Sequence, residues 1–394
     1  MISQHFKEML GQKSVIREMN ARAFEIGERI GHENIFNFSL GNPSVPAPET
    51  INEVFAELPV QMDPLELHGY SESHGILSVR KSVAAYLEKT YGLPYTSDHI
   101  FMASGAAGAI AHAVRAVVCP GEEVITFAPF FPEYRPYINE TGAVLKVVPA
   151  DTDSFQINFD EFEKMLNEKT AAVLINSPNN PSGIVYSTAT IKRLAQILKD
   201  ASGRFGHDIY IISDEPYREI VFEGVDAPFI SAFYDNTIMC YSFSKSISLP
   251  GERIGYVAVN PACPDAELII HMCTQISRGI GHNCPASIAQ LVIARTLGQT
   301  ADLSVYEKNS NILYDELTKM GFSIVKPGGT FYMFPKSPLP DAKLFCEKAL
   351  EHNLVLVPSD SFGCEGFFRI AYCVTTETVE RSLDCFRALS REVF

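Results

Sequence analysis

The middle of the chain alternates short apolar runs with helical patterns, and this constrains its fold more than any other feature. The runs at 123–127, 143–148, 171–175, 208–213 and 237–242 are rich in Val, Ile, Tyr and Phe. Helical periodicity occupies 107–118, 159–167 and 190–201 between some of them. Strands this short and apolar suit burial on both faces. Strand and helix in alternation predict an α/β unit with a mostly parallel central sheet. Ligands in such sheets sit where loops converge at the carboxyl ends of the strands. From about residue 265 the pattern changes. Helical stretches at 266–279, 285–297 and 302–320 precede strand-like runs at 322–325, 331–334, 354–357 and 367–371. Helices at 342–351 and 377–390 are interleaved with those runs, so a second, smaller α/β unit is expected. The first forty or so residues have no local strand to pair with and are expected to fold back onto it.

A length of 394 residues allows two or three domains, and 46% hydrophobic residues supply a core without a disulfide or metal staple. The formal net charge of -15 disfavours nonspecific binding to nucleic acid or anionic lipid. No apolar stretch approaches the roughly 20 residues of a membrane span. The opening residues lack the apolar core of a signal peptide. The nine cysteines are scattered without framework spacing, which reads as reduced thiols in the cytoplasm. No HExxH pattern occurs, so a zinc hydrolase is unsupported and no metal site is expected.

The most informative stretch runs from Ser242 through Ser244 and Lys245 to Arg253. A lysine just past a strand end can be partly desolvated, which lowers its pKa and frees the amine for Schiff-base chemistry. Nearby hydroxyls and an arginine suit a phosphate. Taken alone, the same residues are equally a surface Lys and a surface Arg. Upstream, Asp214 and Tyr217 follow another strand; Asp214 suits a protonated pyridine nitrogen and Tyr217 a ring oxygen, or else they are a cap and a packed ring. The turn 177–183 contains Asn180, which would share that ring oxygen. Gly105, Ala106 and Ala107 open a helix, and small residues there expose backbone N–H groups to an anion.

Taken together and in this order, these pieces resemble the class I/II aminotransferases of the fold-type I pyridoxal-phosphate family. The resemblance also takes in Ser39–Pro43, Tyr70 and the stretch 366–372 around Arg369, and covers almost the whole chain. It implies a large cofactor-binding domain over 46–292, a smaller C-terminal domain over 293–394, and an arm over 1–45 that contributes to the smaller domain. It implies pyridoxal 5′-phosphate as cofactor, held by Lys245, which then shuttles a proton at the substrate α-carbon. Asp214 would hold the ring nitrogen, Tyr217 and Asn180 the ring oxygen, and Phe131, with Phe130 as rival, would stack on the ring. The phosphate would meet Gly105, Ala106, Ala107, Ser242, Ser244 and Arg253. Tyr70 would reach the phosphate of a neighbouring subunit, which implies a homodimer. Arg369 would take the substrate α-carboxylate, assisted by Asn180 and Gly41.

The implied reaction moves an amino group from an L-amino acid to a 2-oxo acid, 2-oxoglutarate first among them, by a ping-pong scheme. Related C–S β-lyases and other amino-acid lyases share the same residue types and stand as the alternative. One aspartate-specific subgroup carries a lysine where this chain has Ala107. Another uses an arginine of the partner subunit, and Arg278, five residues before Asn283, stands in a comparable place. Arg278 is thus a candidate for an acidic substrate side chain, or else an arginine on a solvated helix end.

Overall fold

The computed structural model describes residues 2, 4–10 and 14–394. Among the described residues twelve strands form three sheets. They are β1 (Phe36–Asn37), β2 (Ile100–Ala103), β3 (Glu123–Phe127), β4 (Val144–Val148), β5 (Thr170–Asn176) and β6 (Tyr210–Asp214). The rest are β7 (Thr237–Ser242), β8 (Gly255–Val259), β9 (Tyr332–Met333), β10 (Leu354–Val355), β11 (Val357–Pro358) and β12 (Phe368–Ala371).

The large sheet has the order β2-β8-β7-β6-β5-β3-β4. Only β8 runs against its neighbours; the others are parallel. The expected mostly parallel α/β sheet is therefore present. Successive side chains of a strand point to opposite faces, and here both faces are covered. Phe101, Leu174, Ile238 and Cys240 pack under the helices Gly105–Val117 and Ala266–Ile280. On the other face Met102 and Met239 join one cluster, and Val173 and Ile175 another. Burial on both faces is why these strands read as continuous apolar runs rather than alternating ones.

The strands β2 and β8 and the helices Glu49–Gln61 and Leu77–Tyr91 were not anticipated from sequence. The smaller α/β unit combines the antiparallel sheet β11-β12-β9 with the parallel pair β1-β10. Phe36 pairs with Leu354 and Asn37 with Val355, so the N-terminal segment does fold back onto the C-terminal part. One expectation is corrected. The run 322–325 joins no ladder; Phe322 instead packs edge-on against Phe345 and Phe368, and the chain then breaks at Pro327, Gly328 and Gly329. Among the described residues no helix is long and apolar enough to cross a membrane.

Candidate active site

Strands β2, β3, β5, β6 and β7 deliver their carboxyl ends to one edge of the large sheet, and the segments that follow them line a cavity of about 370 Å³. The reversed strand β8 brings its amino end to the same edge. Its first residue, Gly255, pairs with both Ala103 and Ser242, and this carries Arg253 to the mouth of the cavity. A Cβ at Gly255 would lie 2.2 Å from the Tyr241 carbonyl oxygen and 3.0 Å from the Gly105 Cα. Only glycine lets the start of the helix Gly105–Val117 approach so closely.

That helix is rich in alanine, the best helix former, and Ser104 before it makes no side-chain cap. Its first N–H groups thus remain open toward an anion. Ala106, Ala107, Ser242, Ser244 and Arg253 line the cavity beside it. Gly105 is buried behind them, and the Arg253 Nη2 lies 3.0 Å from the position a Gly105 Cβ would take. Ser242 donates to the Ser244 Oγ at 2.7 Å and accepts from the Ser244 N–H. The Ser244 hydroxyl proton is therefore the one left for a phosphate. Arg253 sits at φ 51, a left-handed conformation unusual for a non-glycine residue.

Lys245 follows β7 on the short helix Phe243–Ser246. Its Nζ donates to the Gly41 carbonyl at 2.7 Å and lies 5.6 Å from the centre of the Phe331 ring. Desolvation among these groups pushes its pKa down to about 8, and the positive charges of Arg253 and Arg369 add to the shift. Asp214, at the end of β6, is buried, and its carboxyl is pushed up to about 7 mainly by desolvation, while a hydrogen bond from Tyr134 opposes the shift. That bond runs from the Tyr134 hydroxyl to Oδ2 at 2.5 Å; Oδ1 is buried without a partner among the described residues. A buried acceptor left unpaired is costly, so the site is built to receive a donor there.

Arg369, on β12, is 1% exposed. Its Nη1 donates to Asn180 Oδ1 at 3.0 Å and its Nη2 to the Ser39 carbonyl at 2.5 Å, while Nε has no partner among the described residues. Its guanidinium carbon lies 4.6 Å from the Tyr332 ring centre. Burial lowers its pKa from the usual arginine value. A buried cation without a carboxylate partner is a natural receptor for a substrate carboxylate. Tyr217, also buried, donates to the Tyr332 hydroxyl at 3.3 Å, and desolvation holds its phenol well above its ordinary pKa. Gly41 closes this side, because a Cβ there would overlap the Tyr332 hydroxyl.

Of the residues singled out from sequence, Gly41, Ala106, Ala107, Phe131, Asn180, Asp214, Tyr217, Ser242, Ser244, Lys245, Arg253 and Arg369 all line this cavity. Phe131 does so, whereas Phe130 is buried and stacks on Tyr134. Tyr70 and Arg278 are exposed and lie outside the lining of their own chain's cavity. Sequence reasoning missed Tyr134, Tyr137, Tyr332, Glu133 and Arg17. Glu133 and Tyr134 had a local signal, two and three residues beyond Phe131; the others enter only through packing.

These groups fit pyridoxal phosphate. Asp214 Oδ1 suits a pyridinium N–H, and the open helix start with Ser244 and Arg253 suits a phosphate dianion. The half-buried Lys245 amine suits the cofactor's carbonyl carbon. The sequence model of the family "Aminotransferase class I and II" matches residues 33–386. An aspartate aminotransferase of Thermotoga maritima is 31% identical over 98% of both chains. Aromatic-amino-acid aminotransferase 2 of Thermococcus litoralis is 30% identical over 92% of this chain and 93% of that one. A crystal structure of an aminotransferase from Eubacterium rectale superposes with a TM-score of 0.96 at 42% identity, covering 100% of this chain and 99% of that one. The chain belongs to the class I and II aminotransferases, pyridoxal-phosphate-dependent enzymes of fold type I that transfer amino groups.

Proposed function

We propose that the protein takes the amino group from an L-amino acid and passes it to a 2-oxo acid, 2-oxoglutarate first among them, in two half-reactions at one site. The observation that carries this reading is the meeting of Lys245, Arg369 and the unpaired Asp214 Oδ1 in a single cavity. Bound pyridoxal phosphate supplies a carbonyl that takes up the amino group and a ring that withdraws electrons from the substrate α-carbon.

Lys245 holds the cofactor and afterwards moves the proton at the α-carbon, and its lowered pKa suits an amine that must accept a proton near neutral pH. Asp214 holds the ring nitrogen in its protonated form. Tyr217 and the amide of Asn180 hold the ring oxygen, and Phe131 covers the ring face. Gly105, Ala106, Ala107, Ser242, Ser244 and Arg253 anchor the phosphate. Arg369 fixes the α-carboxylate with Asn180 and Gly41 beside it, so the scissile α-hydrogen is presented to Lys245.

Two chains would form a homodimer in which Tyr70 reaches the partner's phosphate and Arg278 the partner's substrate pocket. The exposure of both residues supports this arrangement. The nine free cysteines support a reducing, cytoplasmic setting. An apolar cluster drawn wholly from 101–273, and a second drawn mostly from 301–389 with Phe36 and Phe38, support a large domain over 46–292 and a smaller one over 293–394 joined by the arm 1–45.

The test is the absorption spectrum of cofactor-loaded protein during addition of single amino acids without an oxo acid. Stoichiometric conversion to the pyridoxamine form, reversed by 2-oxoglutarate, is the expected result. Unaided return of the starting spectrum with pyruvate and ammonia accumulating would identify a lyase.

A further inference from the structure

The turn 177–183 carries Asn180, and its internal shape is held by Asn179. The Asn179 Oδ1 accepts from the Ser182 N–H at 2.9 Å and from the Ser182 hydroxyl at 2.7 Å. The Gly183 N–H donates to the Asn179 carbonyl at 2.9 Å, and the Asn179 N–H to the Ile184 carbonyl at the same distance. On its far side Asn179 makes only a long contact, from Nδ2 to the Pro129 carbonyl at 3.4 Å. None of these bonds reaches Asp214.

That link is made by Asn176, which closes β5, is 4% exposed and lines the cavity. The parallel register of β5 and β6 sets it opposite Asp214. Its Nδ2 donates to the Asp214 carbonyl at 2.8 Å, and its Oδ1 accepts from the Asn180 N–H at 2.7 Å. A carbonyl can only accept and a backbone N–H can only donate, so the two partners fix which way round the amide sits. One partner stands four residues on, and the other 38 positions away on the neighbouring strand. An asparagine that merely satisfied a strand end would need only the local one. Asn180 passes the constraint further. Its Oδ1 accepts from the Arg369 Nη1 at 3.0 Å, which leaves its Nδ2 for the ring oxygen.

We propose that Asn176 is a positioning residue of this site. It holds the ring-nitrogen contact of Asp214 and the ring-oxygen contact of Asn180 at a fixed separation, and through Asn180 it aims Arg369. One buried amide thus aligns the groups for the cofactor ring with the group for the substrate carboxylate. This rests on the roles proposed for Asp214, Asn180 and Arg369. Two hydrogen bonds are enough for it because both partners are backbone groups, which move only with their strand or turn.

The experiment compares cofactor-loaded wild type with Asn176→Ala, Asn176→Ser, Asn180→Ala and the double variant of Asn176→Ala and Asn180→Ala. Three readouts are taken: the pH midpoint of the cofactor absorption band, the dissociation constant of propionate read from its effect on that band, and the melting temperature. A donor to the ring oxygen eases loss of the proton held between that oxygen and the Lys245 nitrogen. Misplacing Asn180 in Asn176→Ala should therefore raise the midpoint by about half to one pH unit, the equivalent of one neutral hydrogen bond. Propionate, a bare carboxylate probe for Arg369, should bind roughly three- to tenfold more weakly. In the Asn180→Ala background, Asn176→Ala should weaken propionate no further, because its effect on Arg369 runs through Asn180. Asn176→Ser keeps a polar group too short to span both partners, so it should shift the midpoint in the same direction by less.

A melting temperature lowered by Asn176→Ala and Asn176→Ser, with midpoint and propionate affinity unmoved, overturns the proposal and marks Asn176 as strand-end packing. Further loss of propionate in the double variant overturns it too. A midpoint moved by Asn180→Ala but by neither Asn176 variant overturns the proposal alone. A midpoint that Asn180→Ala itself leaves in place sinks the ring-oxygen role of Asn180, and the proposal with it.

Discussion

At the scale of single residues, the site works through groups whose preferred charge is set by burial. Asp214 is held by one donor, Tyr134, and presents its other oxygen unpaired. Removing that donor with Tyr134→Phe leaves the carboxylate less anchored and its burial uncompensated. A hydrogen bond to a charged group contributes roughly 1.5–3 kcal/mol. The variant should therefore bind pyridoxal phosphate about tenfold or more weakly, measured by equilibrium titration, and should slow the amino-acid half-reaction in a stopped-flow trace. Unchanged affinity would reduce Tyr134 to a packing residue. Lys245 offers a second test. With its pKa pushed down to about 8, the amine of cofactor-free protein is charged below that pH and neutral above it. Its labelling by an amine-reactive reagent, followed by mass spectrometry, should rise through an inflection near pH 8. An inflection near that of ordinary lysines would mean that the desolvation is not realised in solution.

At the scale of elements, the anion site depends on one reversed strand lying under one helix start. The run around Gly255 was not read as a strand, because a short apolar segment carries no sign of its direction or neighbours. Direction is what matters here: running against β2 and β7, β8 brings Arg253 to the edge where Ser244 and Lys245 emerge. The Gly255→Ala substitution tests the contact directly. Its methyl would meet the Tyr241 carbonyl at 2.2 Å and the Gly105 Cα at 3.0 Å, neither of which can turn aside as a flexible side chain would. Overpacking of this kind costs about 1–3 kcal/mol. The melting temperature should fall, and cofactor should rescue less of it than in wild type because the phosphate cradle itself is displaced. A variant with full rescue would show that the helix start adjusts at no cost.

At the scale of the whole molecule, the residues of one cavity come from both ends of the chain. Gly41 and Ser39 lie next to β1, and Arg369 lies on β12, yet Arg369 donates to the Ser39 carbonyl across 330 positions. The pairing of β1 with β10 makes that possible. The proposed homodimer extends the same principle to a second chain and can be tested by mixing. Lys245→Ala has no lysine for the cofactor, and Tyr70→Ala should bind it weakly. In a hybrid of the two, one site joins an intact Lys245 to the partner's intact Tyr70. Mixed and refolded subunits should recover a population with wild-type cofactor affinity, and absence of such a population would mean that sites are not shared.

The sequence by itself determined the parallel sheet, through runs that had to be buried on both faces. It also pointed to the proposed cofactor residues at strand ends, since Asp214 closes β6 and Lys245 comes just after β7. The return of the N-terminal segment onto the C-terminal unit was legible too, for want of a local partner strand. Tertiary structure alone decided the rest. Tyr134 becomes the donor to Asp214, Tyr332 closes over Arg369, and Arg17 joins the wall, because two helices and a strand distant in sequence meet at one cavity. Those roles depend on distance and direction in space, which packing sets and residue order does not carry.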